Sequence, residues 1–199
     1  KRPPQQTALK LGHLHTMCDD TGIFQHAVFS VPDRSHGYCV DDNARALLLS
    51  SLLSAVGETG IADRMTASFA SFVEHAFNPD TGRFRNFMSF DRRWLEDEGS
   101  EDSHGRTLWA LGACTVADTD APRRRWASAL FARAMTATLD FRSPRAWAFT
   151  LLGLNDYCTA NPQDAHAGML RVRQAENLMD LERRVSKGER RWFEEGLSY

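Results

Sequence analysis

HGYCVDDNARALLLSSLL, residues 36–53, places two carboxylates, an amide and an arginine directly before an apolar run. The run continues to Val56 and is apolar on nearly every side, as are TLWALGACTVA (107–117) and AWAFTLLGL (146–154). A helix without a polar face is usually buried on all sides, whereas a helix with a single apolar stripe lies at the surface. The three segments therefore predict three buried helices.

Helices of a second kind alternate with these three. The segments after Gly60, Pro122 and Pro162 each predict a helix with a charged face, and residues 7–20 predict a short first helix. An alternation of buried and surface helices is typical of an α/α toroid, in which an outer ring of helices encloses an inner ring. We predict that residues 1–199 form a single all-α domain of the (α/α)6 toroid type, or the N-terminal part of one. The toroid is expected to be incomplete because the chain has about seven helices.

Irregular segments precede the first two buried helices. Residues 22–40 alternate in polarity and predict a short strand or an extended loop. Residues 81–97 show a similar alternation and predict a hairpin, and residues 190–199 predict an extended ending. These insertions are expected to lie at the mouth of the ring.

An internal repeat marks the starts of the first two buried helices. DDNARAL (41–47) aligns with DSHGRTL (102–108), and the third buried helix keeps only the arginine, in SPRAWAF (143–149). An acid at a helix start accepts backbone N–H groups, and an arginine four residues later can pair with that acid. Capping alone would therefore account for a pair such as Asp41 and Arg45.

The repeat contains more acids than a helix cap requires. Asp42 follows Asp41, and Glu101 precedes Asp102. If the buried helices all start on one side, these carboxylates converge on the mouth of the ring, where paired carboxylates could act as acid and base on a glycosidic bond. The predicted catalytic set is Asp41, Asp42, Glu101 and Asp102.

Polar and aromatic side chains near these acids suit a sugar, because hydroxyls take polar partners and C–H faces stack on rings. The predicted substrate-binding residues are His36, Tyr38, Asn43, Arg45, Trp94, His104 and Arg106. The expected ligand is an oligosaccharide or a small polyol. Alternatively, the polar clusters are caps only, and the domain is a helical interaction module.

The composition argues against other classes of partner. A net charge of −2 supplies no basic field for nucleic acid or an acidic membrane, and no apolar stretch reaches the roughly 18 residues of a membrane span. The first ten residues lack the apolar core of a signal peptide. Four separated cysteines without a CxxC pair predict reduced thiols in the cytoplasm, and the histidine spacings predict no metal and no cofactor.

Four long motifs extend this interpretation. CDDTGIFQHAVFSVPDRSHGYCVDDNARAL (18–47), GSEDSHGRTLWALG (99–112), FRSPRAWAFTLLGL (141–154) and RWFEEGLSY (191–199) resemble motifs of bacterial glycosyltransferase-associated proteins with a six-hairpin, glycosidase-like (α/α)-toroid domain. The resemblance covers nearly the whole chain. It implies sugar chemistry in glycan metabolism, with mannosides among the candidate substrates, and carries no established reaction.

The resemblance leaves two functional hypotheses open. One is a glycoside hydrolase-like protein, and the other is a non-catalytic sugar-binding or helical interaction module that partners a glycosyltransferase. The chain departs from the group at Glu195, where an aspartate is typical, and at Tyr199, after which the group continues with a further helix start. Seven helices form little more than half of a twelve-helix ring. Two explanations stay open: the chain is a fragment of a larger toroid, or a second copy closes the open edge in a homo-oligomer.

Overall fold

The computed structural model describes residues 9–58 and 60–186. Within them the helices are α1 (Gly12–Thr16), α2 (Val40–Ala55), α3 (Asp63–Ala76), α4 (Glu101–Ala117), α5 (Ala121–Ala134), α6 (Pro144–Ala160) and α7 (Ala165–Val185), with a 3-10 helix at Met135–Asp140. The strands are β1 (Phe24–Val28), β2 (Val31–Cys39), β3 (Phe77–Asn78), β4 (Arg83–Phe84) and β5 (Phe87–Met88). The predicted all-α class and the seven helices are confirmed.

Side-chain acceptors define the starts of five helices. The capping side chains are Cys39, Ser100, Asp120, Ser143 and Asp164, and each accepts a hydrogen bond from a backbone N–H in the first turn. Helices α5 and α6 also have a proline in the first turn. Proline has no backbone N–H, and an N–H at this position would have no acceptor within the helix. The sequence therefore placed these starts to within a few residues.

Helices α4 and α6 are parallel and pack so closely that their backbones are in contact. A Cβ added to Gly105 would lie 2.8 Å from the carbonyl oxygen of Ala146, and one added to Gly112 would lie 2.3 Å from that of Gly153. Both contact points advance by the same number of residues along the two helices, so the helices run in the same direction. Glycine is required at Gly112 because any side chain would enter the backbone of α6.

Helix α2 lies parallel to α4 on its other side. Asp41 contacts Arg106 near the amino ends of the two helices, and Ser54 Oγ lies 2.6 Å from Thr119 Oγ1 at their carboxyl ends. We call α2, α4 and α6 the inner helices. The outer helices α3, α5 and α7 pack on α2, α4 and α6 respectively.

The core fills the space between the inner and outer helices. Its largest fully buried side chains include Leu47 of α2, Phe69 of α3, Leu108 of α4, Phe131 of α5 and Leu170 of α7. The charged faces predicted for the outer helices are therefore directed away from this core. The amphipathic pattern thus accounts for the two layers.

The inner helices are not buried on every side, which corrects the sequence interpretation. Leu49, Leu52 and Leu152 are 36%, 49% and 47% exposed, and Val116 is 44% exposed. With Arg45, Arg106, Trp109 and Phe149 these residues define what we call the inner face. A helix can be apolar all round without having a partner on each side, so composition alone could not locate this surface.

The first predicted helix is much shorter than expected. Instead of residues 7–20, only Gly12–Thr16 is helical within the described part of the chain. The chain turns after Met17, and Asp19 Oδ1 accepts hydrogen bonds from the amides of Thr21 and Gly22. An aspartate that binds the backbone two and three residues on favours a turn over continued helix.

The irregular segments form strands. Residues 22–40, predicted to be a short strand or an extended loop, contain two strands, β1 and β2, which make an antiparallel hairpin. The hairpin predicted within residues 81–97 is reduced to one isolated bridge, between Met88 and Trp94. Strand β4 pairs with β3, and β5 pairs with β2. The predicted extended ending at 190–199 lies outside the described residues.

Over residues 9–58 and 60–186, no helix has the combined length and apolar character that crossing a bilayer requires. All four cysteines fall within this part of the chain, and none is joined to another.

Replacing Gly112 by alanine tests the α4–α6 contact. We expect Gly112→Ala to lower the free energy of unfolding by about 1–3 kcal/mol, because the methyl group overlaps the Gly153 carbonyl. Gly168→Ala in α7 is the matched control, since a Cβ there meets no atom within 4 Å. Urea denaturation of both variants measures the difference, and equal stabilities would contradict the close helix packing.

Candidate functional site

The amino ends of the inner helices meet through a carboxylate shared by two arginines. Asp41 Oδ2 accepts a hydrogen bond of 2.6 Å from Arg106 of α4 and another from Arg45 of its own helix. The Asp41 and Arg106 side chains are 18% and 16% exposed. Burial lowers the pKa of Arg45, but the bond and charge of Asp41 outweigh it, and the net pKa is raised. This cluster therefore links α2 to α4 through the carboxylate of Asp41.

Asp42 belongs to the same cluster but has looser contacts. Its Oδ1 lies 3.4 Å from Arg45, and its Oδ2 accepts a hydrogen bond of 3.0 Å from the Cys39 thiol. Burial, followed by the negative charge of Asp42, raises the pKa of Cys39, which keeps this thiol protonated. Among the described residues Asp42 makes no hydrogen bond or ion pair with α4 or α6, which distinguishes it from Asp41, Glu101 and Asp102.

The two acids at the start of α4 hold the start of α6. Glu101 Oε2 accepts hydrogen bonds from the amides of Arg142 and Ser143, at 2.8 and 2.7 Å. Asp102 Oδ1 accepts a hydrogen bond of 2.5 Å from the Ser143 hydroxyl, and Asp102 Oδ2 lies 3.1 Å from Arg145 Nε. Acids in excess of one cap are thus explained by contacts to the neighbouring helix, an arrangement that the sequence interpretation did not consider.

Asn43 has a structural position. It is fully buried, its Nδ2 donates to the Cys39 carbonyl at 2.9 Å, and its Oδ1 accepts from the amide of Ile23 at 3.1 Å. A Cβ on Gly22 would lie 2.2 Å from that oxygen, so the chain must carry glycine there. The amide fastens the segment before β1 onto α2, and the substrate contact predicted for Asn43 has no exposed atom to make it.

His104 is likewise enclosed by the core. The Phe84 amide donates to its Nδ1 at 3.3 Å, so Nε2 carries the proton and donates to the Ala134 carbonyl at 3.1 Å. Burial, and secondarily the charge of Arg83, lowers the pKa of His104 to about 3. With both nitrogens used and no exposed surface, His104 is not placed to bind a substrate hydroxyl.

The aromatic residues predicted to stack on a sugar lie away from the inner face. Tyr38 is 1% exposed, and its hydroxyl donates to Asp19 at 2.6 Å. Burial and this bond raise the pKa of Tyr38 to about 12. Trp94 packs against α3, where its indole N–H donates to His75 Nε2 at 3.2 Å. Neither ring is therefore brought together with the Asp41 cluster.

His36 lies on an exposed part of β2. Its Nε2 is 3.6 Å from Asp33, its side chain is 53% exposed, and its ring meets His26 edge-on at 4.5 Å between centroids. No contact joins it to Asp41, Asp42 or Arg106 among the described residues. The prediction that His36 touches the same ligand as these residues has no support in the described contacts.

A different aromatic pair stands beside the arginines. The rings of Trp109 and Phe149 are stacked with their centroids 5.9 Å apart, and the Arg106 guanidinium lies 4.6 Å from the Phe149 centroid. Both rings are partly exposed. Trp109 lies in the segment 107–117, which the sequence predicted to be buried on all sides. It follows Arg106 by three residues, however, and this spacing would have placed it on the same face of α4 as the arginine.

No group of three or more histidine, cysteine, aspartate or glutamate side chains is arranged to hold a metal ion within the described ranges. The clustered carboxylates instead contact arginines, backbone amides and hydroxyls.

Comparison of the chain with protein-family models, with curated proteins and with solved structures found no match. The resemblance to glycosyltransferase-associated proteins therefore stays a prediction. The functional argument below depends on the geometry of the inner face.

The buried imidazole predicts a pH dependence of stability. The pKa of His104 is lower in the folded protein than the value of about 6.5 of an unfolded chain, so the unfolded state binds the proton more tightly. Through His104, the free energy of unfolding should therefore decrease by up to about 1.4 kcal/mol per pH unit as the pH falls from about 6.5 towards 3. Chemical denaturation between pH 7 and 5 measures this slope.

A variant isolates the contribution of His104. His104→Gln should be less stable at pH 7 and should show a shallower loss of stability on acidification. His13→Gln, which changes an exposed residue of α1, should keep the original slope. The burial account would be contradicted by equal slopes in the His104→Gln and unchanged proteins.

The contact between Glu101 and α6 predicts a second stability effect. Glu101→Ala should cost about 1–2 kcal/mol because it leaves two amides at the start of α6 without their acceptor. Glu176→Ala, on the exposed surface of α7, should change stability by less than about 0.5 kcal/mol. Thermal and urea unfolding of the pair measures the difference, and a neutral Glu101→Ala would exclude the inter-helix cap.

Proposed function

We propose that this chain is a carbohydrate-active domain that binds an oligosaccharide on the inner face, at the amino ends of α2, α4 and α6. The observation that carries the proposal is the partly exposed Trp109–Phe149 pair beside Arg106. Aromatic faces next to polar groups that converge on one surface are the usual elements of a sugar site.

The arginines supply the hydrogen-bond donors of this site. Arg45 is 54% exposed on its side chain, and Asp41 holds it beside Arg106. A guanidinium fixed by one carboxylate still has N–H groups for further acceptors, because it carries five. In this proposal Arg45 and Arg106 bind hydroxyl oxygens, and Asp41 positions the two guanidinium groups.

Glycoside hydrolysis is the reaction that the acids would support. It requires two carboxyl groups on opposite sides of the scissile bond, one of which donates a proton to the leaving oxygen. Asp42 is the strongest candidate to act on a substrate, because its carboxylate is 25% exposed and makes no hydrogen bond or ion pair with a neighbouring inner helix among the described residues. Asp102, 22% exposed on α4, is the candidate partner, while Asp41 and Glu101 keep positioning roles.

The finer architecture is part of the same proposal. An inner helix packed on an outer helix is the repeating unit of an (α/α) toroid. The described residues contain three such pairs, so we propose a toroid-like arrangement. The exposed leucines of the inner face would then line its lumen or meet a second copy. We also propose a cytoplasmic location, because all four cysteines are free thiols and the cytoplasm keeps thiols reduced.

A non-catalytic role is the second candidate. It is favoured by the observation that Asp41, Glu101 and Asp102 all contact a neighbouring inner helix or its start. Carboxylates committed in this way stabilise the helix packing without acting on a substrate. The domain would then bind sugar, or a helical partner, beside a glycosyltransferase.

A thermal-shift screen against manno- and gluco-oligosaccharides tests the proposal. Binding at a hundred times Kd should stabilise the protein by about 2.7 kcal/mol and raise its Tm. Trp109→Ala should abolish the shift, whereas Trp109→Phe should keep part of it because the ring is retained. No shift with any sugar would overturn the carbohydrate proposal.

Asp42→Asn separates the catalytic from the binding role. If Asp42 takes part in hydrolysis, the variant should lose at least a hundredfold in turnover of the oligosaccharide found by the screen. It should keep its Tm, because the contact with Arg45 is exposed and weak. Glu176→Gln on α7 is the control. A binding module would show no turnover in the unchanged protein.

A further inference from the structure

A groove lies on the opposite side of the molecule from the inner face, between the outer helices α3 and α5. Its volume is about 880 Å³, within the range of small-molecule sites. The lining residues used below are Ser71, Glu74, His75, Arg85, Trp94 and Trp126. We call it the α3–α5 groove, and it shares no residue with the Asp41 cluster.

Two tryptophans form its aromatic walls, and both are held in place by their indole N–H groups. Trp126 Nε1 donates to Glu74 Oε2 at 2.8 Å, and Trp94 Nε1 donates to His75 Nε2 at 3.2 Å. Each ring is partly exposed. Rings that are fixed at one edge while part of their surface stays accessible are preorganised to stack on the C–H face of a ligand.

Arg85 provides a positive charge that has no carboxylate partner within residues 9–58 and 60–186. Its guanidinium lies 5.9 Å from the centroid of Trp94 and contacts no carboxylate among the described residues. The neighbouring arginines are neutralised, since Arg123 pairs with Asp118 at 2.5 Å and Arg133 pairs with Glu74 at 3.1 Å. An anionic group on a ligand would therefore be attracted to Arg85.

Hydroxyl partners complete the site. Glu74 is 43% exposed and accepts hydrogen bonds, Ser71 can donate or accept, and both line the groove. His75 Nε2 accepts from Trp94, so its Nδ1 carries the proton and can donate. The groove thus combines aromatic faces, several hydroxyl-binding groups and two arginines, of which Arg85 is the one that contacts no carboxylate among the described residues.

We propose that the α3–α5 groove binds a pyranose sugar that carries a carboxylate, such as a hexuronic acid unit of an oligosaccharide. Arg85 binds the carboxylate, Trp94 and Trp126 stack on the ring, and Glu74 accepts a hydrogen bond from a sugar hydroxyl. This site is separate from the inner face, so neither proposal requires the other.

The test compares a glucuronic acid disaccharide with the neutral glucose disaccharide of the same linkage and with acetate. Binding is measured by tryptophan fluorescence and by calorimetry at low and high salt. The acidic disaccharide should bind at least tenfold more tightly than the neutral one, and more weakly at high salt because the contact is ionic. Acetate alone should bind negligibly, because it has no ring to stack.

Variants locate the site. Arg85→Gln should weaken binding of the acidic disaccharide at least tenfold and remove the preference for it over the neutral disaccharide. Arg125→Gln, on the exposed surface of α5, should leave both affinities unchanged. Trp126→Phe should reduce affinity for both sugars. Trp109→Ala should leave this binding intact, so failure of the inner-face proposal would not affect the result.

Three outcomes would overturn the inference. The first is no binding of the acidic disaccharide, and the second is equal affinity for the acidic and neutral sugars. The third is loss of binding in Trp109→Ala with no effect of Arg85→Gln, which would place the acidic sugar on the inner face instead.

Discussion

The parallel packing of α4 against α6 is the constraint on which the rest of the structure depends. Gly112 and Gly153 allow the two backbones to touch, and this contact fixes the helices in direction and register. Because the register is fixed, Glu101 and Asp102 reach the start of α6. Asp41 and Arg106 make the equivalent connection between α2 and α4. Three helix starts, each with a positive dipole end, are thus gathered beside several carboxylates.

This convergence has two physical consequences that act on the same residues. The carboxylates stabilise the helix starts and join neighbouring helices, which is sufficient to explain why acids are concentrated there. The same contacts hold Arg45 and Arg106 beside the Trp109–Phe149 pair, on a face that no described element covers. Asp42, which makes no hydrogen bond or ion pair with another inner helix among the described residues, is the acid whose presence the packing explains least.

Much of the fold could be predicted from the sequence, because hydrophobic periodicity and capping residues are local signals. Ser143-Pro144 located α6, and the alternation before α2 located β1 and β2. The site was less accessible, because burial depends on contacts between distant segments. The residues next to His104 in the sequence do not indicate that Phe84 and Ala134 hydrogen-bond to it. Likewise, the residues around Tyr38 do not indicate that its hydroxyl binds Asp19. Trp109 was recoverable from its spacing to Arg106, since both lie on one helical face.

The central claim is that a sugar binds beside Trp109 on the inner face. Its most direct test is an NMR titration of the indole N–H signals, assigned by single tryptophan replacements, with neutral oligosaccharides. The account predicts that the Trp109 signal shifts in a saturable manner while that of Trp147, whose N–H donates to the Phe141 carbonyl at 2.8 Å, stays in place. A Trp109 signal that does not respond to any oligosaccharide, at concentrations up to the millimolar range of weak sugar binding, would contradict it.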